Sequence, residues 1–212
     1  MTMRTRVKVC GLTRVEDAAL AVSLGADALG FILWPSSPRA TTPEAVRAIT
    51  RELPALPVRV GVFVNASPTE VARAVEIAGL DVAQLHGDER VEDYRDLAPR
   101  VIKSVHLTSD ESVAAAEALP SAVVPLVDAV DVVRRGGTGE KADWTLAARL
   151  AAKRPILLAG GLTPENVAAA VRGVRPWGVD VSSGIEDRPG IKNADRMRAF
   201  FRSVRDGKAE DE

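Results

Sequence analysis

The chain contains a single cysteine, and its position makes it the first candidate for chemistry. Cys10 is the last residue of the short apolar run VKVC and is followed at once by Gly11. Taken alone, a lone cysteine in a strand is more often a small buried residue. Its place at the end of the run favours function, and Lys8 shares its side of a strand. A neighbouring ammonium favours the thiolate, which acts as a base or nucleophile, although Lys8 can instead neutralise a buried carboxylate.

A second candidate for chemistry is Asp128, which ends the apolar run AVVPLVD. A carboxylate at the end of a buried strand must be paired, hydrated or functional, because an unpaired buried charge is costly. The structural alternative is a cap for the helix or loop that follows. If the strands of Cys10 and Asp128 end at one rim, the two side chains form a base and an acid on opposite sides of a bound molecule.

Two glycine-containing turns predict an anion site. The stretch LAGGLTPEN places Gly160 and Gly161 where a predicted strand turns toward a helix, and VDVSSG places Ser182, Ser183 and Gly184 after the next strand. Free backbone N–H groups and a helix N-terminus attract anions at such turns. Each turn alone can instead be a tight connection that needs glycine for positive φ. Two such turns on neighbouring strands favour a phosphate site.

The two histidines do not predict a metal centre. His86 ends the run DVAQLH and can line the same rim, whereas His106 follows the next run. No carboxylate stands at ligand spacing from either histidine, so we predict no bound metal.

Eight short apolar runs must position these residues, and they alternate with segments of helical period. The runs lie at 7–10, 26–33, 58–64, 81–86, 100–105, 122–128, 155–160 and 177–183. Their nearly continuous apolar character is typical of parallel strands that are covered on both faces and joined by crossover helices. No G-x-G-x-x-G opens the first unit, which disfavours an open nucleotide-binding sheet. We predict an α/β fold that consists of a single (β/α)8 TIM barrel.

The segments between the runs carry signals for helix starts and ends. A Ser or Thr cap, a proline or an acidic residue in the first turn marks each start. The predicted starts lie at Thr13, Pro43, Ser67, Asp110, Asp143 and Thr163. Gly25, Gly79 and Gly178 are predicted to end three helices, because glycine readily adopts the left-handed conformation.

Length and composition exclude several classes of protein. We expect residues 1–212 to form one domain with a frayed, charged tail from about 206. A net charge of -1 and an aromatic fraction of 4% disfavour binding to nucleic acid or to an anionic membrane. No run is long enough for a membrane span or a signal peptide. One cysteine excludes an internal disulfide and fits a reducing compartment, so we predict a cytoplasmic location.

An ordered set of motifs resembles one protein family. These motifs are KVCGLT, GADALGFI, SPR, VGVFVN, VAQLHG, GGTG followed by DW, LAGGLTPENV and RPWGVDVSSGIE. From Val7 to about Val204 the chain is similar to phosphoribosylanthranilate isomerase of tryptophan biosynthesis. Each motif is weak alone, but the ordered set is specific.

The resemblance implies a cofactor-free barrel that performs an Amadori rearrangement. The reaction converts N-(5-phosphoribosyl)anthranilate to 1-(2-carboxyphenylamino)-1-deoxyribulose 5-phosphate, so the implied partner is a small phosphorylated substrate. The resemblance makes Cys10 the general base and Asp128 the general acid. It assigns substrate binding, with Arg39 at the anthranilate part, to Arg39, His86, Gly137 and Asp180. It assigns phosphate binding to Gly160, Gly161, Ser182, Ser183 and Gly184. The sequence leaves both a monomer and a homodimer open.

One stretch departs from the family pattern. After GGTG the family has a basic residue and an aromatic residue before DW, whereas Glu140, Lys141 and Ala142 stand here. Lys141 is a candidate to replace the displaced positive charge. The departure concerns the loop that covers the substrate and leaves Cys10 and Asp128 unchanged.

Other functions fit these residues less well. A histidine-pathway ribosyl-phosphate isomerase shares the phosphate loops but has an aspartate where Cys10 stands. A non-catalytic sugar-phosphate-binding barrel would have no need of both Cys10 and Asp128. A ribulose-phosphate epimerase would require metal-binding histidines and aspartates on several strands.

Overall fold

The fold is a closed barrel of eight parallel strands, as the sequence predicts. A computed structural model describes residues 4–55, 57–94, 100–128 and 144–209. Each strand pairs with the next, and the last pairs with the first. The strands are β1 (Arg6–Val9), β2 (Ala28–Ile32), β3 (Val58–Phe63), β4 (Val82–Leu85), β5 (Val101–Val105), β6 (Val123–Asp128), β7 (Leu157–Ala159) and β8 (Gly178–Val181).

Within the described ranges, seven α-helices alternate with the strands. They are α1 (Val15–Ser23), α2 (Pro43–Arg51), α3 (Pro68–Ala78), α4 (Asp110–Glu117), α5 (Thr145–Ala151), α6 (Val167–Val174) and α7 (Ala194–Ala209). Between β4 and β5 the described residues contain a short 3-10 helix, Val91–Tyr94. The helix α7 continues to Ala209, so the described chain is still helical where the sequence predicts a frayed tail. None of the described helices is long and apolar enough to cross a membrane.

Some of the predicted helix starts are confirmed, those at Thr13 and Thr163 are wrong, and the one at Asp143 lies outside the described residues. Ser67 and Glu70 form a reciprocal capping box at the start of α3. The cap predicted at Thr13 does not form, and α1 begins two residues later without a side-chain cap. The Thr13 hydroxyl instead donates to the carbonyl oxygen of Gly190 at 2.5 Å, because the fold brings that distant turn beside it.

Two further boundaries near the carboxyl terminus differ from the prediction. Thr163 opens a turn rather than a helix, and α6 begins only at Val167. Gly178 does not end a helix, because it lies inside β8. Arg175 takes the left-handed position after α6 at a φ of 52°. Gly25 and Gly79 do have positive φ after α1 and α3, as the sequence predicts.

Apolar side chains fill the barrel interior and the space between strands and helices. The interior toward the amino-terminal end holds a cluster of Val60, Val82, Ile102, Leu126 and Leu157. The larger cluster lies outside the barrel, and α7 belongs to it through Met197, Phe200 and Phe201. Removing this apolar area from water is the main stabilising contribution to the scaffold.

A hairpin after β8 returns the chain to the barrel. A 3-10 helix (Ser183–Ile185) leads into an antiparallel pair, β9 (Glu186–Arg188) and β10 (Ile191–Lys192). The hairpin turns at Gly190, whose φ is 81°. The backbone N–H of Lys192 donates to Asp17 of α1 at 3.0 Å. The hairpin is therefore anchored to the first β-α unit.

Candidate active site

The predicted site residues surround one cavity of about 320 Å³ at the carboxyl ends of the strands. Every predicted site residue that the structure describes lines it: Cys10, Arg39, His86, Asp128, Gly160, Gly161, Asp180, Ser182, Ser183 and Gly184. Gly137 and the variant stretch Glu140, Lys141 and Ala142 lie outside the described residues. The carboxyl ends of parallel strands meet at one rim, which explains why residues far apart in the sequence converge here.

Cys10 is held at the edge of the cavity by the strand next to its own. Its N–H donates to the carbonyl of Val181 at 2.8 Å, and the residue is buried. The following glycine allows a close approach, since a Cβ on Gly11 would lie 2.7 Å from Arg39 Cδ and 2.9 Å from Ser182 Oγ. Gly11 also has a φ of 72°, which a side chain would strain. Gly11 therefore lets the turn that follows Cys10 pack directly against two other site residues.

Lys8 lies below Cys10 inside the barrel, on the strand face that the sequence predicts. Its ammonium donates to Asp180 at 2.8 Å, and its side chain is only 1% exposed. A Cβ on Gly30 would lie 2.8 Å from Cys10 Sγ and 3.0 Å from Lys8 Nζ, so this glycine leaves room for both groups. Burial lowers the pKa of Lys8, but interactions with Asp180 and Cys10, chiefly the charge of Asp180, outweigh burial and raise the pKa above its ordinary value. Lys8 therefore stays protonated, and both roles proposed from the sequence apply.

Burial controls the acidity of the Cys10 thiol. Burial raises the pKa of Cys10 above its ordinary value, and the positive charge of Lys8 opposes that rise without cancelling it. The ammonium acts in the expected direction, but it does not by itself produce a low thiol pKa. The neutral thiol therefore predominates at pH 7, and the thiolate fraction grows as the pH increases.

Asp128 faces a histidine whose orientation is set by a glutamine. His86 Nε2 lies 3.9 Å from Asp128 Oδ2, and Gln84 Nε2 lies 3.0 Å from His86 Nδ1. Burial lowers the pKa of His86, so the ring is neutral at pH 7. The contact of the Gln84 amide with Nδ1 orients the ring, so that Nε2 lies on the side of Asp128. Among the described residues, no group of three or more His, Cys, Asp and Glu side chains could hold a metal ion.

Arg39 is fixed by a carboxylate that sequence analysis missed. Its Nε lies 2.9 Å and 3.0 Å from the two carboxylate oxygens of Glu186, and its Nη2 lies 2.7 Å from Oε2. This fork uses one edge of the guanidinium. Within the described residues Nη1 donates no side-chain hydrogen bond, so the other edge is available to an anion in the cavity.

The two glycine turns lie against each other at the rim. Gly160 and Gly161 have φ of 87° and 61° after β7. A Cβ on Gly184 would lie 1.9 Å from the carbonyl oxygen of Leu162, so the second turn packs backbone to backbone on the first. The 3-10 helix that begins at Ser183 presents its N-terminus here, in the manner of the short extra helix of phosphate-binding barrels. The turn after β7, by contrast, does not lead directly into a helix.

Further residues line the cavity beside the predicted ones. Ser37 and Gln84 are polar residues at a strand end or in the loop after it, where the sequence places candidates for chemistry, and both line the cavity. Trp34, which is 40% exposed at the rim, was not a candidate from the sequence. Glu186 does not line the cavity, and its link to Arg39 spans 147 positions in the sequence, so no local pattern could reveal it.

The fold and the site together define a class, the (β/α)8 barrels with a cavity at the carboxyl ends of the strands and glycine turns after β7 and β8. A family model described as N-(5'phosphoribosyl)anthranilate (PRA) isomerase matches residues 7–203. The chain belongs to the phosphoribosylanthranilate isomerase family.

Similar proteins agree with this assignment over almost the whole chain. N-(5'-phosphoribosyl)anthranilate isomerase of Pelobacter propionicus is 44% identical over 97% of this chain and 98% of its own length. The crystal structure of phosphoribosyl anthranilate isomerase from Thermotoga maritima has a TM-score of 0.86 at 40% identity, and covers 95% of this chain and 98% of its own. A further solved isomerase, 38% identical with a TM-score of 0.83 and the same coverage, holds reduced 1-(o-carboxyphenylamino)-1-deoxyribulose 5-phosphate. The two alternatives, a histidine-pathway isomerase and a non-catalytic binder, are not favoured.

Proposed function

We propose that this chain isomerises N-(5-phosphoribosyl)anthranilate in tryptophan biosynthesis, with Cys10 as general base and Asp128 as general acid. One observation carries the proposal: both side chains line a single cavity. They come from β1 and β6, and the strands between these two on the barrel, β7 and β8, bear the anion-binding turns. A sugar phosphate anchored at those turns would lie between the thiol and the carboxyl group.

The first step in this proposal opens the furanose ring. Protonated Asp128 gives its proton to the ring oxygen, the bond from C1′ to that oxygen breaks, and the nitrogen lone pair forms a C=N bond. The product is a protonated Schiff base and a free hydroxyl, and Asp128 becomes a carboxylate. His86, whose Nε2 lies 3.9 Å from Asp128 Oδ2, is the polar group proposed to stabilise that negative charge.

The second step moves a proton from carbon. The Cys10 thiolate takes the proton from C2′, and the electron pair of that C–H bond forms a C1′=C2′ bond as the iminium nitrogen becomes neutral. The resulting enolamine tautomerises to the ketone. Lys8, held by Asp180 at 2.8 Å, keeps a positive charge near the thiolate. General acids and bases of this kind each contribute about 10² to 10⁴ in rate.

Binding of the two ends of the substrate follows from the charges at the rim. The phosphate is proposed to bind at Gly160, Gly161, Ser182, Ser183 and Gly184, where two turns meet. The carboxylate of the anthranilate half is proposed to bind the open edge of Arg39, which can form a second fork beside the one with Glu186. Both anionic ends of the substrate then have a defined partner, and the reacting carbons lie between them.

A direct assay tests the proposal. Purified protein mixed with N-(5-phosphoribosyl)anthranilate should remove the anthranilate fluorescence with steady turnover. Cys10→Ser should lose most turnover and keep its affinity for a product analogue, because the substitution removes a proton acceptor and no phosphate contact. A folded wild-type protein without turnover would contradict the proposed function, and a Cys10→Ser variant within a few-fold of wild type would contradict the role of the base.

The location and the assembly are also proposals. A biosynthetic role and a single reduced cysteine fit the cytoplasm. One solved relative is described as a dimeric isomerase from Thermotoga maritima, so a homodimer is proposed beside a monomer. Sedimentation velocity at micromolar concentration would distinguish the two states.

A further inference from the structure

A buried ion cluster lies behind the wall of the active-site cavity. It consists of Arg39, Glu186 and Lys192, and we call it the rear cluster. Lys192 has a side chain that is 0% exposed, and that of Glu186 is 3% exposed. Neither residue lines the cavity, in contrast to Arg39. Both therefore lack access to a ligand and can influence the reaction only through the groups that they contact.

Lys192 binds the segments that carry the base and the phosphate turn. Its Nζ lies 2.6 Å from the carbonyl oxygen of Cys10 and 3.2 Å from the carbonyl oxygen of Ser182. The third close oxygen is Oε1 of Glu186 at 2.8 Å. An ammonium has three protons, so these three oxygens satisfy it. One buried cation thus joins the ends of β1 and β8 at the points where they enter the site.

Glu186 connects this cation to Arg39. Both of its carboxylate oxygens accept from the guanidinium, and Oε1 also accepts from Lys192. Burial alone would raise the pKa of Glu186, but hydrogen bonds from Arg39 and Lys192 hold the pKa below its ordinary value. Glu186 is therefore ionised at neutral pH, and it fixes the plane of the guanidinium whose other edge faces the cavity.

Stability alone does not account for this arrangement. A buried ion pair can often be replaced by apolar residues of similar volume without loss of stability. An apolar pair would leave Arg39 free to rotate and would remove the link between the carbonyl groups of Cys10 and Ser182. The position of Gly11 makes such freedom harmful, because a displacement of Arg39 or Ser182 acts directly on the turn that follows Cys10.

We propose that Glu186 and Lys192 are positioning residues of the isomerase: Glu186 orients Arg39 toward the anionic aryl half of the substrate, and Lys192 holds the base and the phosphate turn in register. This inference rests on the proposed function. It makes the rear cluster the element that keeps the two anion sites and the proton acceptor at fixed separations. Misplacement by about 1 Å can cost roughly 10²-fold in rate.

A double-mutant cycle tests the role of Glu186. Arg39→Ala in the wild-type background should raise KM roughly 10- to 100-fold, the loss expected for a charged hydrogen bond. In the Glu186→Gln background the same substitution should raise KM by less than about threefold, because Arg39 is no longer oriented. Asp81→Asn is the matched control, since it removes the charge from another arginine–carboxylate fork, that with Arg59. It should leave KM unchanged. Additive effects of Arg39→Ala and Glu186→Gln would overturn the proposal.

A second experiment tests Lys192. Lys192→Met should lower kcat/KM about 10²-fold and weaken inhibition by inorganic phosphate. The double variant Lys192→Met/Glu186→Gln removes both buried charges and is the substitute if the single variant does not fold. A folded variant with wild-type kcat/KM and phosphate inhibition would overturn the proposal.

A further measurement separates the proposal from the proposed function. Direct phosphate binding and the rate of Cys10 alkylation by iodoacetamide do not require turnover. If the wild-type protein does not isomerise the substrate, the proposed function fails, and these two measurements still show whether Lys192 couples the phosphate turn to Cys10. Loss of phosphate affinity together with an altered alkylation rate in the Lys192 variant is expected, and no change in either would count against the coupling.

Discussion

The two ends of the barrel use charged residues in different ways. At the carboxyl-terminal end, Lys8 with Asp180 and Lys192 with Glu186 are buried pairs that surround or support a cavity of about 320 Å³. At the amino-terminal end a cavity of about 450 Å³ is lined by valine, leucine and isoleucine together with Arg6, Asp27 and Arg100, and there the Arg6 guanidinium lies 4.3 Å from the ring centre of Trp177. The ion pairs named at the first end are buried, whereas at the second end the pair of Arg4 and Asp27 is partly exposed, with side chains that are 68% and 23% exposed.

Carboxylates at the amino-terminal end bind the backbone of neighbouring strands. Asp27 accepts the N–H of Val7 at 2.9 Å, and Asp81 accepts the N–H of Arg59 at 2.8 Å. Asp27 lies just before β2 and accepts from β1, and Asp81 lies just before β4 and accepts from β3. Each aspartate therefore holds two neighbouring strands in register. At the other end Asp180 and Glu186 instead hold cations beside the thiol and the cavity. Acidic side chains thus hold strands in register at one end and hold cations next to the candidate site at the other.

The largest loss of activity is expected from Asp128→Asn, at the carboxyl-terminal end. The amide cannot supply the proton that opens the ring, so kcat should fall by about 10² to 10⁴ with the unfolding midpoint nearly unchanged. Steady-state kinetics and thermal unfolding measure the two quantities. A change confined to KM would make Asp128 a binding group and would weaken the contrast between the ends.

An intermediate effect is expected from Gly184→Ala. The added Cβ would lie 1.9 Å from the carbonyl oxygen of Leu162, so the two phosphate turns must move apart. We expect the affinity for inorganic phosphate to fall at least about tenfold, which corresponds to about 1.4 kcal/mol. Gly173→Ala in α6 is the matched control, because a Cβ there meets no atom within 4 Å. Equal phosphate inhibition constants for the two variants would argue against a phosphate site at these turns.

The smallest effect on catalysis is expected from Trp177→Ala. The substitution removes the ring that covers the amino-terminal cavity and contacts Arg6. The free energy of unfolding should fall by about 1–3 kcal/mol, and kcat of the folded protein should stay unchanged. Urea unfolding measures the free energy, and steady-state kinetics well below the thermal unfolding transition measure kcat. A loss of kcat without a loss of stability would mean that the amino-terminal end also takes part in the reaction.

Local patterns predicted the barrel because its strands are short, apolar and regularly spaced. Seven of the eight runs contain their strands and β1 begins one residue before its run, since each run is buried on both faces in the barrel. Helix starts were predicted where capping partners are close in sequence, as with Ser67 and Glu70. The prediction failed at Thr13, because a residue 177 positions away takes its hydroxyl. Local signals thus predicted the strands and helices, but they missed the long-range contacts that replace a local cap.

The same limit applies to the candidate site. Cys10, Asp128 and the glycine turns lie at the ends of apolar runs, and this position predicts them as candidate site residues from the sequence alone. Glu186 and Lys192 lie on the two strands of the short hairpin and contact groups elsewhere in the chain, so only the folded arrangement relates them to the site. The direction of the pKa of Cys10 also required the structure, because burial outweighs the nearby ammonium.

The most direct test of the role of Cys10 compares the pH dependence of kcat/KM with that of Cys10 alkylation. Because burial raises the pKa of the thiol, the thiolate needed as a base becomes more abundant as the pH rises above neutrality. We predict that iodoacetamide alkylation of Cys10 reports a pKa above the ordinary value of a cysteine, and that kcat/KM of the wild-type protein has an inflection at that same pKa, because the reaction needs both the thiolate and the proton of Asp128. An activity profile that stays flat while the thiol titrates, or one that Cys10→Ser retains, would contradict it.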